Sequence, residues 1–143
     1  LHLPDGLSQD SLHMLMTCEP QIKEISDLIS RTDVLLFGIG TAMRMADQRH
    51  IADEVRKQLV DNHAVGEALG QYCDMDGKLI YSTNNIGLSL PDVAKVPNVI
   101  AVAGGQEKAS AIIGVMRACQ KGILIIDEQA AEGMRQLLQI SAL

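Results

Sequence analysis

VIAVAGGQEKAS, residues 99–110, holds the decisive pattern of this 143-residue chain. The apolar run Val99 to Ala103 predicts a strand buried on both faces of a parallel sheet. It stops at Gly104-Gly105, and a helical pattern comes next at Ala109, Ile112, Ile113, Met116 and Cys119. In a parallel α/β sheet such a junction lies at the carboxyl edge, where helix N-termini present unpaired N–H groups and partial positive charge. Phosphate suits that environment. Paired glycines let a ligand approach the backbone, and Lys108 stands in the first turn, where a cation opposes the helix dipole. The local sequence is equally compatible with a solvated Lys108 relieved by Glu107 and with glycines that only close a tight turn. Neither GxxxxGK[ST] nor a complete GxGxxG is present, so the nucleotide-binding readings of such loops are not indicated.

A second junction of the same kind lies upstream. Asp33 to Phe37 is a short apolar strand that meets Gly38-Ile39-Gly40-Thr41 before a helical stretch with Ala42, Met45 and Ala46. Neighbouring parallel strands would bring both junctions to one sheet edge and let two glycine-lined loops face one cleft. Gly122 to Ile126 is a third compact strand, ending at Asp127, which can cap a last helix carrying Ala130, Met134, Leu137 and Leu138.

The remaining segments fit around this frame. Leu1 to Leu7 predicts an extended end and a Pro-Asp-Gly turn. Ser8 is placed to cap a helix with Leu12, Leu15 and Met16, and Pro20 opens a second with Ile22, Ile25, Leu28 and Ile29 as packing residues. Residues 51–60 form a further amphipathic segment ending at Asn62-His63. Glu67 stands among apolar and small residues, so it lies either at an exposed strand edge or buried with a partner. Tyr72 to Tyr81 reads as a hairpin turning at Asp76-Gly77, and Asn84 to Leu90 as a loop with a short strand.

Composition narrows the function. A hydrophobic fraction of 47% supports one ordinary core, and a net charge of −6 without a Lys/Arg cluster argues against this segment tracking a nucleic-acid backbone. With Phe37, Tyr72 and Tyr81 as the only aromatics, base-stacking platforms are not expected. Cys18, Cys73 and Cys119 are widely spaced and suit reduced thiols in a cytoplasmic protein. The four histidines lack ligand spacing; no metal or cofactor is expected, nor any membrane span. Beginning at Leu1, the chain is read as a piece of a longer protein.

The blocks LPDGLS (3–8), FGIGTAMRMADQR (37–49), AVGEALG (64–70), VPNVIAVAGGQEKASAI (96–112) and ILIIDEQAA (123–131) together resemble the C-terminal effector-binding domain of SorC/DeoR-type bacterial transcriptional regulators, most closely the glycolytic-gene branch. The resemblance implies an α/β fold, the Rossmann-like three-layer sandwich shared with ribose-5-phosphate isomerase, glucosamine-6-phosphate deaminase and CoA transferases, here with a small β-hairpin excursion. It implies a phosphorylated sugar effector, with Gly104, Gly105 and Lys108 holding a phosphate and Glu67 contacting the ligand. Gln48 and Arg49 fall where that branch has an arginine pair near a second phosphate; Gln48 removes one charge and points toward a monophosphate. Residues 1–143 would then be the C-terminal portion of one effector domain, without its first part and without the N-terminal reader that contacts operator DNA. A homodimer or homotetramer is implied.

The expected function is therefore sugar-phosphate sensing in a repressor of carbohydrate-metabolism genes, not catalysis. An isomerase- or deaminase-like enzyme, with Glu67 as general base and Lys108 on the phosphate, is the alternative. A purely structural oligomerisation domain is the third reading.

Overall fold

The computed structural model describes residues 7–139. The turn expected over residues 1–7 lies, apart from Leu7, outside the described residues.

Two helices lead. Helix α1 (Gln9–Cys18) starts where the Ser8 hydroxyl accepts the Ser11 N–H at 3.1 Å, and α2 (Pro20–Ser30) begins on Pro20, whose fixed φ suits a first turn. The two pack principally against each other. Neither contains a buried residue, so the expected packing stripe is only partly used: Ile22, Ile25 and Ile29 are half-buried and Leu28 is exposed.

Strand β1 (Val34–Gly38), a two-residue β2 (Gly40–Thr41) and α3 (Ala42–Gln48) form the first predicted junction, followed by α4 (Asp53–Asp61). Strands β3 (Gly66–Ala68), β4 (Gln71–Cys73) and β5 (Leu79–Ser82) come next. The β4–β5 turn is built as read: the Asp74 carboxylate accepts the N–H groups of Asp76 and Lys78, and Gly77 takes φ +84°. The strand expected within Asn84–Leu90 does not form. There Gln71 Oε1 accepts the Leu90 N–H at 2.7 Å and Asn85 donates to the Leu69 carbonyl, side-chain bonds standing in for a ladder. A 3₁₀ turn at Pro91–Lys95 leads to β6 (Asn98–Ala103), a second 3₁₀ turn (Gln106–Lys108), α5 (Ala109–Cys119), β7 (Ile123–Ile126) and α6 (Glu128–Leu137).

The strands make two sheets. One is parallel, in the order β1-β6-β7; the other is antiparallel, in the order β2-β3-β4-β5. What reads in the sequence as a small hairpin excursion is thus half of a four-stranded sheet. Helix α5 lies against both the parallel sheet and β3, which explains why burial extends around it, from Ala109 through Ile112, Ile113 and Val115 to Cys119. Gly66 permits the close approach, since a Cβ there would stand 2.8 Å from the Ala111 carbonyl oxygen. The main core joins Phe37, Val99 and Ala101 to Ile112, Val115, Cys119 and Ala130.

β6 is not buried on both faces as its composition suggests. Its register with β1 and β7 puts Val34, Leu36, Ile100, Val102, Ile123 and Ile125 on the face opposite α5 and α6. Five of these, all but Ile100, are between 41 and 66% exposed. Both helices took the other face, and among the described residues no element covers this one.

Candidate functional site

Pairing of β1 with β6 in parallel, Gly38 opposite Val102, brings both glycine bends to the carboxyl edge of one sheet. β2 runs from the first bend into the antiparallel sheet, where Gly40 pairs with Glu67. The Gln106–Lys108 turn lies next to β2. β2 is therefore adjacent to both groups of predicted residues: Glu67, with its partner Arg49, through the pairing of Gly40, and the Gly105–Lys108 bend through the neighbouring turn.

Glu67 is buried and partnered. Its Oε1 accepts from Arg49 Nη2 at 3.1 Å and from the Gly70 N–H at 2.7 Å. No hydrogen bond reaches Oε2 among the described residues; this oxygen faces Gly40, 3.9 Å from where a Cβ would stand. Burial pushes the Glu67 carboxyl above its ordinary range, and this outweighs the opposing pull of the Arg49 charge and of the two hydrogen bonds. A buried carboxylate whose second oxygen is unclaimed can accept a hydroxyl proton from a polar ligand. Arg49 sits at the C-terminal end of α3, its side chain 29% exposed, so the guanidinium bridges the buried acid and the surface. Gln48, one residue earlier, is exposed and makes no side-chain hydrogen bond among the described residues; the structure does not bring it to Glu67.

At the second bend Gly105 takes φ +95° and ψ 138°, a conformation that side chains rarely adopt. Its N–H donates to both oxygens of Asp127, at 2.9 and 3.1 Å. Asp127 also caps α6, accepting the Ala130 N–H at 2.8 Å. The N–H groups of Ala130 and Gly105 hold its carboxyl below the ordinary range, with a smaller contribution from the nearby Lys108 charge. The cap was readable from the sequence; the reach to Gly105 was not, although a strand ending in Asp beside one ending in Gly-Gly is the signal that could have found it.

Gly105 and Lys108 lie at the open carboxyl edge of the parallel sheet. A cavity of about 540 Å³ lies beneath α1 and is walled by polar groups including Gln71, Thr83, Asn84 and Ser89. Arg49 borders a smaller one of about 220 Å³ with His50, Tyr81 and Asn84. Burial pushes the Cys73 thiol up to about 12 and the Cys119 thiol up to about 11, which leaves neither as a nucleophile. No helix among the described residues is long and apolar enough to cross a membrane.

Residues 1–136 match the Sugar-bind family, a sugar-binding domain. The central glycolytic genes regulators of Bacillus subtilis and Priestia megaterium are 37% and 39% identical to 92% of this chain, which spans only 38% of either relative. A crystal structure of a SorC family transcriptional regulator from Enterococcus faecalis superposes with a TM-score of 0.80 at 37% identity, covering 90% of this chain and 52% of that one. The chain belongs to the sugar-binding domain family of SorC/DeoR-type transcriptional regulators.

Proposed function

We propose that this chain is the C-terminal part of the effector-binding domain of a bacterial transcriptional regulator, and that it senses a phosphorylated sugar. The observation that carries the reading is the carboxyl edge itself. A lysine-bearing turn and a buried carboxylate with one unclaimed oxygen flank the same short strand, so one ligand could offer a phosphate to Lys108 and a hydroxyl to Glu67. Arg49 reaches the same carboxylate from the surface and supplies a second positive charge.

Glutamine at position 48 is neutral, which leaves Arg49 as the one charged member of that pair and favours a monophosphate over a bisphosphate. Ligand binding would shift the population of assembled states, dimer or tetramer, and thereby the occupancy of operator DNA by a reader outside these residues. Relatives named as regulators support sensing over turnover, and the enzymatic alternative is not favoured. A cytoplasmic location follows from this reading.

The test is a thermal-shift titration of the full-length protein with fructose 1,6-bisphosphate, fructose 6-phosphate, glucose 6-phosphate and dihydroxyacetone phosphate, repeated for Lys108→Ala. A ligand bound only by the native state raises Tm by mass action, and at the same ligand concentration the shift shrinks in the variant. Absence of a shift with all four, or an equal shift in Lys108→Ala, overturns the reading.

A further inference from the structure

We propose that Asp127 is a positioning residue for the Lys108 turn, a strut from the end of β7 that holds the Gly104–Gly105 bend in the form able to take an anion. The inference rests on the phosphate reading above and assigns a part to a residue outside the expected ligand set.

Capping α6 requires only the bond to the Ala130 N–H, yet both carboxylate oxygens also receive the Gly105 N–H. One side chain thus ties two neighbouring loops of the parallel sheet, the β6–α5 bend and the β7–α6 link. The fit around it is close. A Cβ at Gly104 would stand 2.6 Å from Asp127 Oδ2, so glycine at this position makes room for the carboxylate. Two turns further along α6, a Cβ at Gly133 would stand 2.9 Å from the Ala109 Cβ and 3.1 Å from the Gln106 carbonyl oxygen. The middle of α6 is therefore seated directly on the Gln106–Lys108 turn.

This arrangement has an electrostatic side. Gly105, whose left-handed backbone aims its N–H at α6, has that donor engaged by Asp127, so an incoming anion must rely on Lys108 and the remaining turn. The carboxylate acts by fixing where the Lys108 backbone sits, not by touching the ligand.

Asp127→Ser weakens one task and spares the other, because serine is a strong helix cap but lacks the second oxygen, Oδ2, which makes the shorter bond to Gly105, and lacks the carboxylate charge. In the full-length protein we expect Tm to stay within a few degrees of wild type while the affinity for fructose 6-phosphate falls about tenfold, the scale of one misaligned charge-assisted contact. On a Lys108→Ala background the same substitution should cause no further loss, since both act through one contact. An unchanged or higher affinity in Asp127→Ser, or a loss that adds to that of Lys108→Ala, overturns the proposal. Hydrogen exchange gives a reading independent of ligand: the Gly105 amide should be protected in wild type and exchange faster in Asp127→Ser, and equal rates would remove the strut whatever the sugar does. Failure of wild type to bind any phosphosugar, with the Gly105 protection intact, would overturn the phosphate reading and with it the part assigned to Asp127 in anion binding.

Discussion

The bends after β1 and β6 share one description in the sequence, an apolar strand, glycines and a helix, but they are built differently. The first carries the chain between sheets: Ile39 is buried, Gly38 and Gly40 keep negative φ, and the space a Cβ on Gly40 would take is filled by Cγ and Sδ of Met45. At the second bend the chain stays beside the parallel sheet. Gly105 is left-handed, Gln106 and Glu107 are exposed, and a carboxylate from the next strand occupies the bend. A glycine pair announces a bend, and its neighbouring side chains tell the use: Ile39 turns into the core, whereas Gln106-Glu107-Lys108 turns outward to the edge where a ligand would arrive.

Substitutions should separate the two bends. The largest effect is expected beside the first, at Glu67→Ala, which leaves the Gly70 N–H without its acceptor and Arg49 without its partner. We expect a loss of about 2–3 kcal/mol in urea unfolding, toward the upper end for a buried polar group because two contacts go together. Glu67→Gln keeps an acceptor for Gly70 and removes a charge that burial disfavours, so it should cost less than about 1 kcal/mol while still weakening ligand binding. Equal losses for the two variants would mean that the ion pair, not the hydrogen bond to Gly70, holds the site.

Next in size is Gly105→Ala. Forcing a side chain to φ +95° should cost about 1–2 kcal/mol, the usual range for a strained backbone position. Gly40→Ala meets Met45 Cγ and Sδ, a side chain that can clear the methyl by turning about its Cα–Cβ bond without moving backbone, so about 1 kcal/mol is expected from such overpacking. Reversal of that order would show that the first bend is the rigid one.

Much of this frame was legible because its signals are local. The periodicity of 99–103, Pro20 at the first position of α2, and Asp76-Gly77 between strand-like runs each act within a few residues, and β6, α2 and the β4–β5 turn formed there. The misreadings concern partners distant in sequence. The continuous apolar runs 34–37 and 123–126 show that both faces of these strands are greasy, but not that α5 and α6 would share one of them and leave Leu36 and Ile123 uncovered. Likewise Glu67 could be read as needing a partner, while Arg49 as that partner, 18 residues earlier, depends on how β3 lies beside the end of α3. Gln48 is grouped with Arg49 by the resemblance; in this structure it is exposed while Arg49 turns to Glu67, since neighbouring positions at a helix end point in different directions.

The smallest effect is also the sharpest contrast, because the carboxylates at the two bends should answer pH with opposite signs. Asp127 has a folded-state pKa below its unfolded one, so it contributes stability above the ordinary aspartate range, and that contribution is lost as pH falls through the depressed value. Glu67 has a folded-state pKa above its unfolded one. Between the two values the native state keeps a proton that the unfolded chain has released, so the Glu67 contribution is complete below the ordinary glutamate range and declines as pH rises through the elevated value. Carboxyl carbon shifts followed by NMR across the acid range should show Glu67 titrating last and Asp127 early, and Glu67→Gln should flatten only the upper limb of the stability profile. If Glu67 instead titrates at or below the ordinary range, the Arg49 charge governs it more than burial does. The acid would then be committed to its ion pair, and a sugar hydroxyl at Oε2 would have to compete with Arg49 instead of meeting a carboxylate that burial leaves short of donors.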